Sequence, residues 1–163
     1  MVPLYTWRHV TVPHTRDAFT SLGAHLQFLQ TWTTGNGVSA RVRQRLVVGD
    51  GMCGHPGVVH GGIVALLMDD TMGVLVSTAT TNDETIMRQG VTASLQVSYK
   101  QPCPTGVVVE LEASYERLEG RKHFLECELR TGNSLLSTGH SLYLLPKDSI
   151  KDLDPLEKPS FSF

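Results

Sequence analysis

A surplus of charge, a pairable set of cysteines and an unbroken apolar run are all missing from this sequence, and each absence closes off a class of function. The formal net charge is only −2 across 163 residues. Its one basic group, Arg41-Val42-Arg43-Gln44-Arg45, repeats with period two, which suggests the solvent-facing side of a strand; nucleic acid is not an expected partner. Cys53, Cys103 and Cys127 are odd in number and widely spaced. They argue against a disulfide frame and a zinc site, and for reduced thiols in an intracellular compartment. The longest apolar stretch is broken by Asp69 and Asp70, so no membrane span is expected. Acidic residues are absent before Asp17, whereas Arg8, His9, His14 and Arg16 precede it. That is a mitochondrial hint, opposed by Pro3 and Pro13, which spoil an amphipathic helix; cytoplasm and mitochondrion both stand as expectations.

What is present centres on Gly51 to Ala79, a glycine-rich loop feeding a helix. From Gly61 to Ala79 there is no proline and nearly every position is apolar or small, which predicts one helix of about five turns, apolar all round and so enclosed by the rest of the chain. Asp69 and Asp70 stand out there. An unpartnered carboxylate in an apolar interior costs several kcal/mol, so the pair must reach solvent, find partners or be used. Before the helix, Gly54, Gly57, Gly61 and Gly62 permit tight turns or close backbone approach. The first amides of the helix have no internal acceptor and carry the positive end of its dipole, which suits a carbonyl oxygen gaining negative charge; an ordinary tight loop is the plainer alternative.

Around this centre the pattern predicts a short strand over Tyr5–Val12 and an amphipathic helix over Arg16–Trp32, with Phe19, Leu22, Leu26, Leu29 and Trp32 at helical spacing. A turn follows at Thr33–Gly37, then the first strand of the main sheet over Ser39–Val48. After the helix comes a polar connection, Thr80–Gly90. Strands are expected over Val91–Lys100, Gly106–Leu118, Arg121–Arg130 and Ser134–Leu145, the middle two joined at Glu119-Gly120 as a hairpin. The order reads as strand, long helix and four strands in a meander. The fold class is therefore α+β, an antiparallel sheet curled around the helix, with a main domain over 39–145, an extension over 1–38 and a tail over 146–163.

His60 and Asp69 are nine residues apart. On a straight helix that is half a turn out of register and roughly 13.5 Å of rise. If both serve one site, either two copies of the chain share it across a two-fold axis or the residues before Gly62 curl off the helix axis. Asp69 would act as general base or nucleophile, and an amide of Gly61 or Gly62 would polarise a carbonyl. His55, His123 and His140 lack metal spacing with one another and have the plainer reading of histidines that are exposed or satisfied by a backbone carbonyl. Thr92 opens a strand; it is either an ordinary strand residue or a hydroxyl placed to hold water.

His60-Gly61-Gly62 followed by Asp69 resembles the hotdog-fold acyl-CoA thioesterases. The run Thr92-Ala93-Ser94-Leu95-Gln96-Val97-Ser98-Tyr99-Lys100-Gln101-Pro102, with Leu118-Glu119-Gly120-Arg121-Lys122, is similar to the branch containing the carboxyl-terminal modulator protein. The resemblance runs from Gly49 to Leu145. It implies a helix wrapped by an antiparallel sheet, a homodimer or a dimer of dimers, and hydrolysis of acyl-CoA to free acid and CoA without cofactor or metal. By the same analogy His60, Asp69 and Thr92 fall at functional positions, Gly61 or Gly62 supplies the oxyanion amide, and Gly54, His55 and Val59 line the substrate site. Several relatives carry Asn where this chain has Gly54, so the groups that hold water or thioester there do not carry over. The alternatives are a catalytically weak acyl-CoA-binding or regulatory protein using the same groove, and a hotdog dehydratase.

Overall fold

The computed structural model describes residues 25–79 and 90–145. The expected strand over Tyr5–Val12, the connection at 80–89 and the tail after 145 lie outside the described residues. Within them the chain forms β1 (Leu26–Thr34), β2 (Arg41–Val48), β3 (Cys53–His55), β4 (Val58–Val59), α1 (Gly61–Ala79), β5 (Val91–Tyr99), β6 (Val108–Glu119), β7 (Lys122–Thr131) and β8 (Ser134–Leu144). Six strands make one sheet in the order β1-β2-β6-β7-β8-β5, and β3 with β4 makes a small hairpin. Every neighbouring pair is antiparallel.

The sheet curls around α1, which contacts β2, β5, β6, β7 and β8. Val64, Leu67, Met68, Met72, Leu75 and Val76 of the helix are buried with Val42, Leu46, Leu111, Leu125 and Leu129 of the sheet. Truncating one of these leucines to alanine costs about 2–5 kcal/mol, because the cavity collapses only partly. By length and composition α1 is apolar enough to cross a membrane; here half of it is buried, against the strands, and Leu66 is exposed. The alternation in β2 buries Val42, Gln44 and Leu46. Arg41, Arg43 and Arg45 point outward, as their period of two suggests, and pair with Glu110 and Glu112 of β6. Buried Gln44 is satisfied by the Thr71 hydroxyl of α1, which donates to its Oε1 at 2.8 Å.

Two expectations are corrected. The helix expected through Trp32 is, over its described part, strand β1. A register shift between Phe28 and Gln30 leaves an extra residue, Leu29, in the pairing with β2. Such a bulge resets the period-two pattern. Leu26 lies opposite inward-facing Val48 and Trp32 opposite outward-facing Arg43, so the helical spacing of Leu26, Leu29 and Trp32 marks no common face, while Phe28, Thr31, Trp32 and Thr33 favour a strand. The sheet thus begins at Leu26, ahead of residue 39. The four-strand meander is also wrong: β6, β7 and β8 form a meander, but β5 lies on the far edge beside β8. Pro102 and Pro104 preclude a tight hairpin after β5. The chain instead crosses the end of the sheet, where Lys100 and Gln101 N–H donate to Leu136 O, Thr105 N–H to Gly57 O and Gly106 N–H to Val48 O. That crossing leaves β5 as a sheet edge, and the candidate site lies along it.

Candidate active site

The start of α1 is built chiefly from backbone. Gly57, with φ of +73°, turns β3 into β4. Val59 N–H then donates to Cys103 O at 2.8 Å and His60 N–H to Met52 O at 2.8 Å, so the residue entering the helix is tied on both sides. His60 caps it, its carbonyl accepting from Ile63 N–H at 2.9 Å and Val64 N–H at 3.2 Å. Gly54 suits a close approach: a Cβ there would lie a tight 3.1 Å from His60 Cα.

Gly62 N–H donates to His60 Nδ1 at 3.0 Å. Accepting at Nδ1 places the proton of a neutral imidazole on Nε2, so the ring offers a donor and not a base. Gly62 N–H is thereby occupied, and the amide of Gly61, the first helical residue, has no acceptor within the helix. The Tyr99 hydroxyl, from the end of β5, donates to Gly61 O at 2.8 Å. A cleft of about 560 Å³ opens here, with Gly54, His55, Val59, His60, Gly61 and Tyr99 among its lining. Cys103 also lines it, but burial pushes its thiol up to about 11, so it remains protonated at neutral pH and is no nucleophile.

The middle of α1 is built from side chains. Asp69, half-buried, has one carboxylate oxygen, Oδ1, accepting from two hydroxyls: Thr92 of β5 at 3.0 Å and Tyr143 of β8 at 2.7 Å. The Tyr143 hydroxyl also lies 2.6 Å from Asp69 O. A second bulge arranges this cluster. The β5–β8 register pairs Thr92 with Tyr143 and then shifts before Ser94 pairs with Leu142, so the opening residue of β5 stands beside the tyrosine.

The structure therefore gathers Asp69 with Thr92, and gathers His60, Gly61, Gly62, Gly54, His55 and Val59 at the helix start. It does not bring the two groups together within one chain, for α1 runs as one helix between them. Two residues escaped the sequence reading. Tyr143 ends an inward row with Ser137, Gly139 and Ser141, whose alternation marks a helix-facing side, and its hydroxyl was the available signal. Tyr99 stands in a quoted motif but carries no chemical signature of its own. His123 departs from its plain reading in one respect: it is buried and partnered by the Tyr115 hydroxyl, 2.9 Å from Nδ1, not by a backbone carbonyl. Among the described residues no group of three or more His, Cys, Asp or Glu could hold a metal ion.

The thioesterase superfamily profile matches residues 56–138, which include His60, Asp69 and Thr92. The acyl-coenzyme A thioesterase THEM4 of Xenopus laevis is 39% identical over 87 residues, 52% of this chain and 36% of that protein. The chain thus spans little more than a third of that relative's length. Conserved protein PA5202 from Pseudomonas aeruginosa superposes with a TM-score of 0.62 at 26% identity, covering 79% of this chain and 94% of that one. The structure of smu.793 from Streptococcus mutans UA159, bound to acetyl CoA, superposes with a TM-score of 0.60 at 15% identity over 72% of this chain and 90% of the other, a likeness of fold. With the profile covering just over half of the sequence and a hotdog architecture of six antiparallel strands around one helix, the chain belongs to the thioesterase superfamily.

Proposed function

We propose that this chain hydrolyses acyl-CoA thioesters, with Asp69 as general base. The observation that carries the reading is the Asp69 carboxylate, held by two donors on one oxygen, on a helix whose start presents the Gly61 amide. In this reading the thioester carbonyl oxygen faces Gly61 N–H and the His60 Nε2 proton, where charge develops as water attacks. Asp69 takes a proton from that water as its oxygen bonds to the carbonyl carbon. Collapse of the adduct breaks the C–S bond, and the departing thiolate takes the proton held by Asp69, which restores the base and gives CoA and free acid. Acetyl CoA bound to a protein of the same fold is consistent with such a ligand.

The site is completed by a second copy. β5 is a nine-residue edge strand without a charged side chain, and Val91 and Tyr99 are 65% and 54% exposed at its ends. An edge with no neighbouring strand among the described residues is a template for another strand. Asp69 binds at one end of β5 through Thr92 and Gly61 at the other through Tyr99. A two-fold axis across the middle of β5 lays two copies antiparallel, so that the Asp69 end of each meets the Gly61 end of its partner, twice. Free thiol released from a panel of acyl-CoAs of graded chain length tests the activity. Binding of the panel without thiol release would instead establish a non-catalytic acyl-CoA carrier. A single turnover in ¹⁸O-water tests the base: label in the product acid fits attack by water, and label retained on Asp69 would make it the nucleophile.

A further inference from the structure

Thr92 was expected as a plain strand residue or a hydroxyl placed to hold water; it donates to Asp69, but the shorter bond to that carboxylate comes from Tyr143. The two donors approach from different sides. Thr92 lies on the exposed edge strand, whereas Tyr143 is 3% exposed and reaches the helix from within the sheet. Both end on Oδ1, and the tyrosine proton is shared with the Asp69 carbonyl. A contact to side chain and backbone of one residue fixes its rotamer as well as its position. With Oδ1 so engaged, Oδ2 is the oxygen left for a reacting group.

We infer that Tyr143 is the positioning residue that selects Oδ2 of Asp69 as the proton-accepting oxygen, an inference that rests on the thioester hydrolysis proposed above. Burial, with the nearby charges of Asp69 and Asp70, drives the phenol well above its ordinary range despite the opposing Thr92 hydroxyl. It is therefore a donor throughout the pH range in which an enzyme works. The other titratable groups around it are Asp70 on α1 and His123, which pairs with Tyr143 across β7 and β8. β5 contributes no charged side chain. Burial lowers the pKa of His123, which keeps its ring neutral at pH 7.

The test separates this role from mere packing. In protein labelled with ¹³C-aspartate, difference infrared spectra against Asp69→Asn isolate the Asp69 carboxylate. The splitting between its two stretching bands is expected to narrow in Tyr143→Phe, because a hydrogen bond taken from Oδ1 leaves the two oxygens less unequal. Incorporating 3-fluorotyrosine at 143, a stronger donor of nearly the same shape, moves the splitting the opposite way and keeps a readout if the phenylalanine variant folds poorly. In turnover, Tyr143→Phe lowers kcat about tenfold at nearly constant KM, the weight of one hydrogen bond to a charged group. Carboxylate bands identical in all three proteins overturn the inference. So do bands that move while kcat stays fixed. An unaltered chain that hydrolyses none of the panel sinks the thioesterase reading instead, and the bands still decide whether Tyr143 governs Asp69.

Discussion

At the start of α1 the groups aimed at the cleft are backbone amides, a carbonyl and two exposed side chains, His60 and Tyr99. At its middle they are side chains from three separate elements, Asp69 of the helix, Thr92 of the edge strand and Tyr143 of the sheet interior. The first region is local, formed largely within Gly54 to Gly62, and tolerates solvent. The second is assembled from positions up to 74 residues apart and sits partly out of water. In the proposed chemistry one stabilises charge on oxygen and the other moves a proton, so their failures have different signatures. Asp69→Asn keeps the shape and removes the base. Its kcat/KM is expected to fall by about 10²-fold or more with an unchanged circular dichroism spectrum. Asp70→Asn is expected to matter far less, and the reverse order of damage would place the base one residue along.

The comparison also predicts that lesions at the two regions complement. Gly62→Val puts a Cβ where only 3.0 Å separates it from His60 Nδ1, displacing the ring that caps the helix. Mixed with Asp69→Asn, it gives dimers in which one site inherits both lesions and the other neither. Random reassociation of equal amounts makes about half the dimers mixed, each with one sound site of two, so about a quarter of full activity is expected to return. Tagged pull-down and size-exclusion chromatography must first show exchange. No recovery would mean that the two regions serve one site within a single chain.

The two regions also differ in how far the sequence discloses them. His60-Gly61-Gly62 is legible because glycine and its neighbours along the chain carry the whole geometry. Which amide is open was not legible, since that depends on the His60 ring folding back onto Gly62. Asp69 was legible by contrast with its apolar helix, and Thr92 through resemblance. Tyr143 was not, because it meets Asp69 only when β8 lies beside β5, and the order of strands is a property of the crossover after Pro102 and Pro104. The same crossover hid the edge position of β5. β1 was misread for another reason: Leu26, Leu29 and Trp32 recur at helical spacing by chance, and the bulge at Leu29 breaks the period of two that would have marked a strand.

A smaller contrast separates two hydroxyls on the same strand. Thr92 Oγ1 donates to the carboxylate and Tyr99 OH to a backbone carbonyl. Thr92→Val is expected to lower kcat by about tenfold with little change in KM, the loss of one bond to a charged group. Tyr99→Phe loses a neutral bond at the cleft wall and is expected to change KM by about threefold with kcat held, in line with roughly 0.5–1 kcal/mol. Equal effects on kcat would erase the division between a proton-moving end and a binding end.

The smallest effect expected concerns acid stability, and it belongs to the interior region alone. His123 is buried beside Tyr115, and it pairs across the sheet with Tyr143. Burial holds its folded-state pKa below the ordinary value, so the unfolded chain binds this proton more readily. The stability linked to His123 is therefore complete above the unfolded value of about 6.5 and is lost as pH falls from there toward the lower folded value. Melting temperatures between pH 7 and pH 5 should decline less steeply in His123→Gln than in the unaltered chain. Parallel slopes in the two proteins would show that acid acts on the fold elsewhere than at His123.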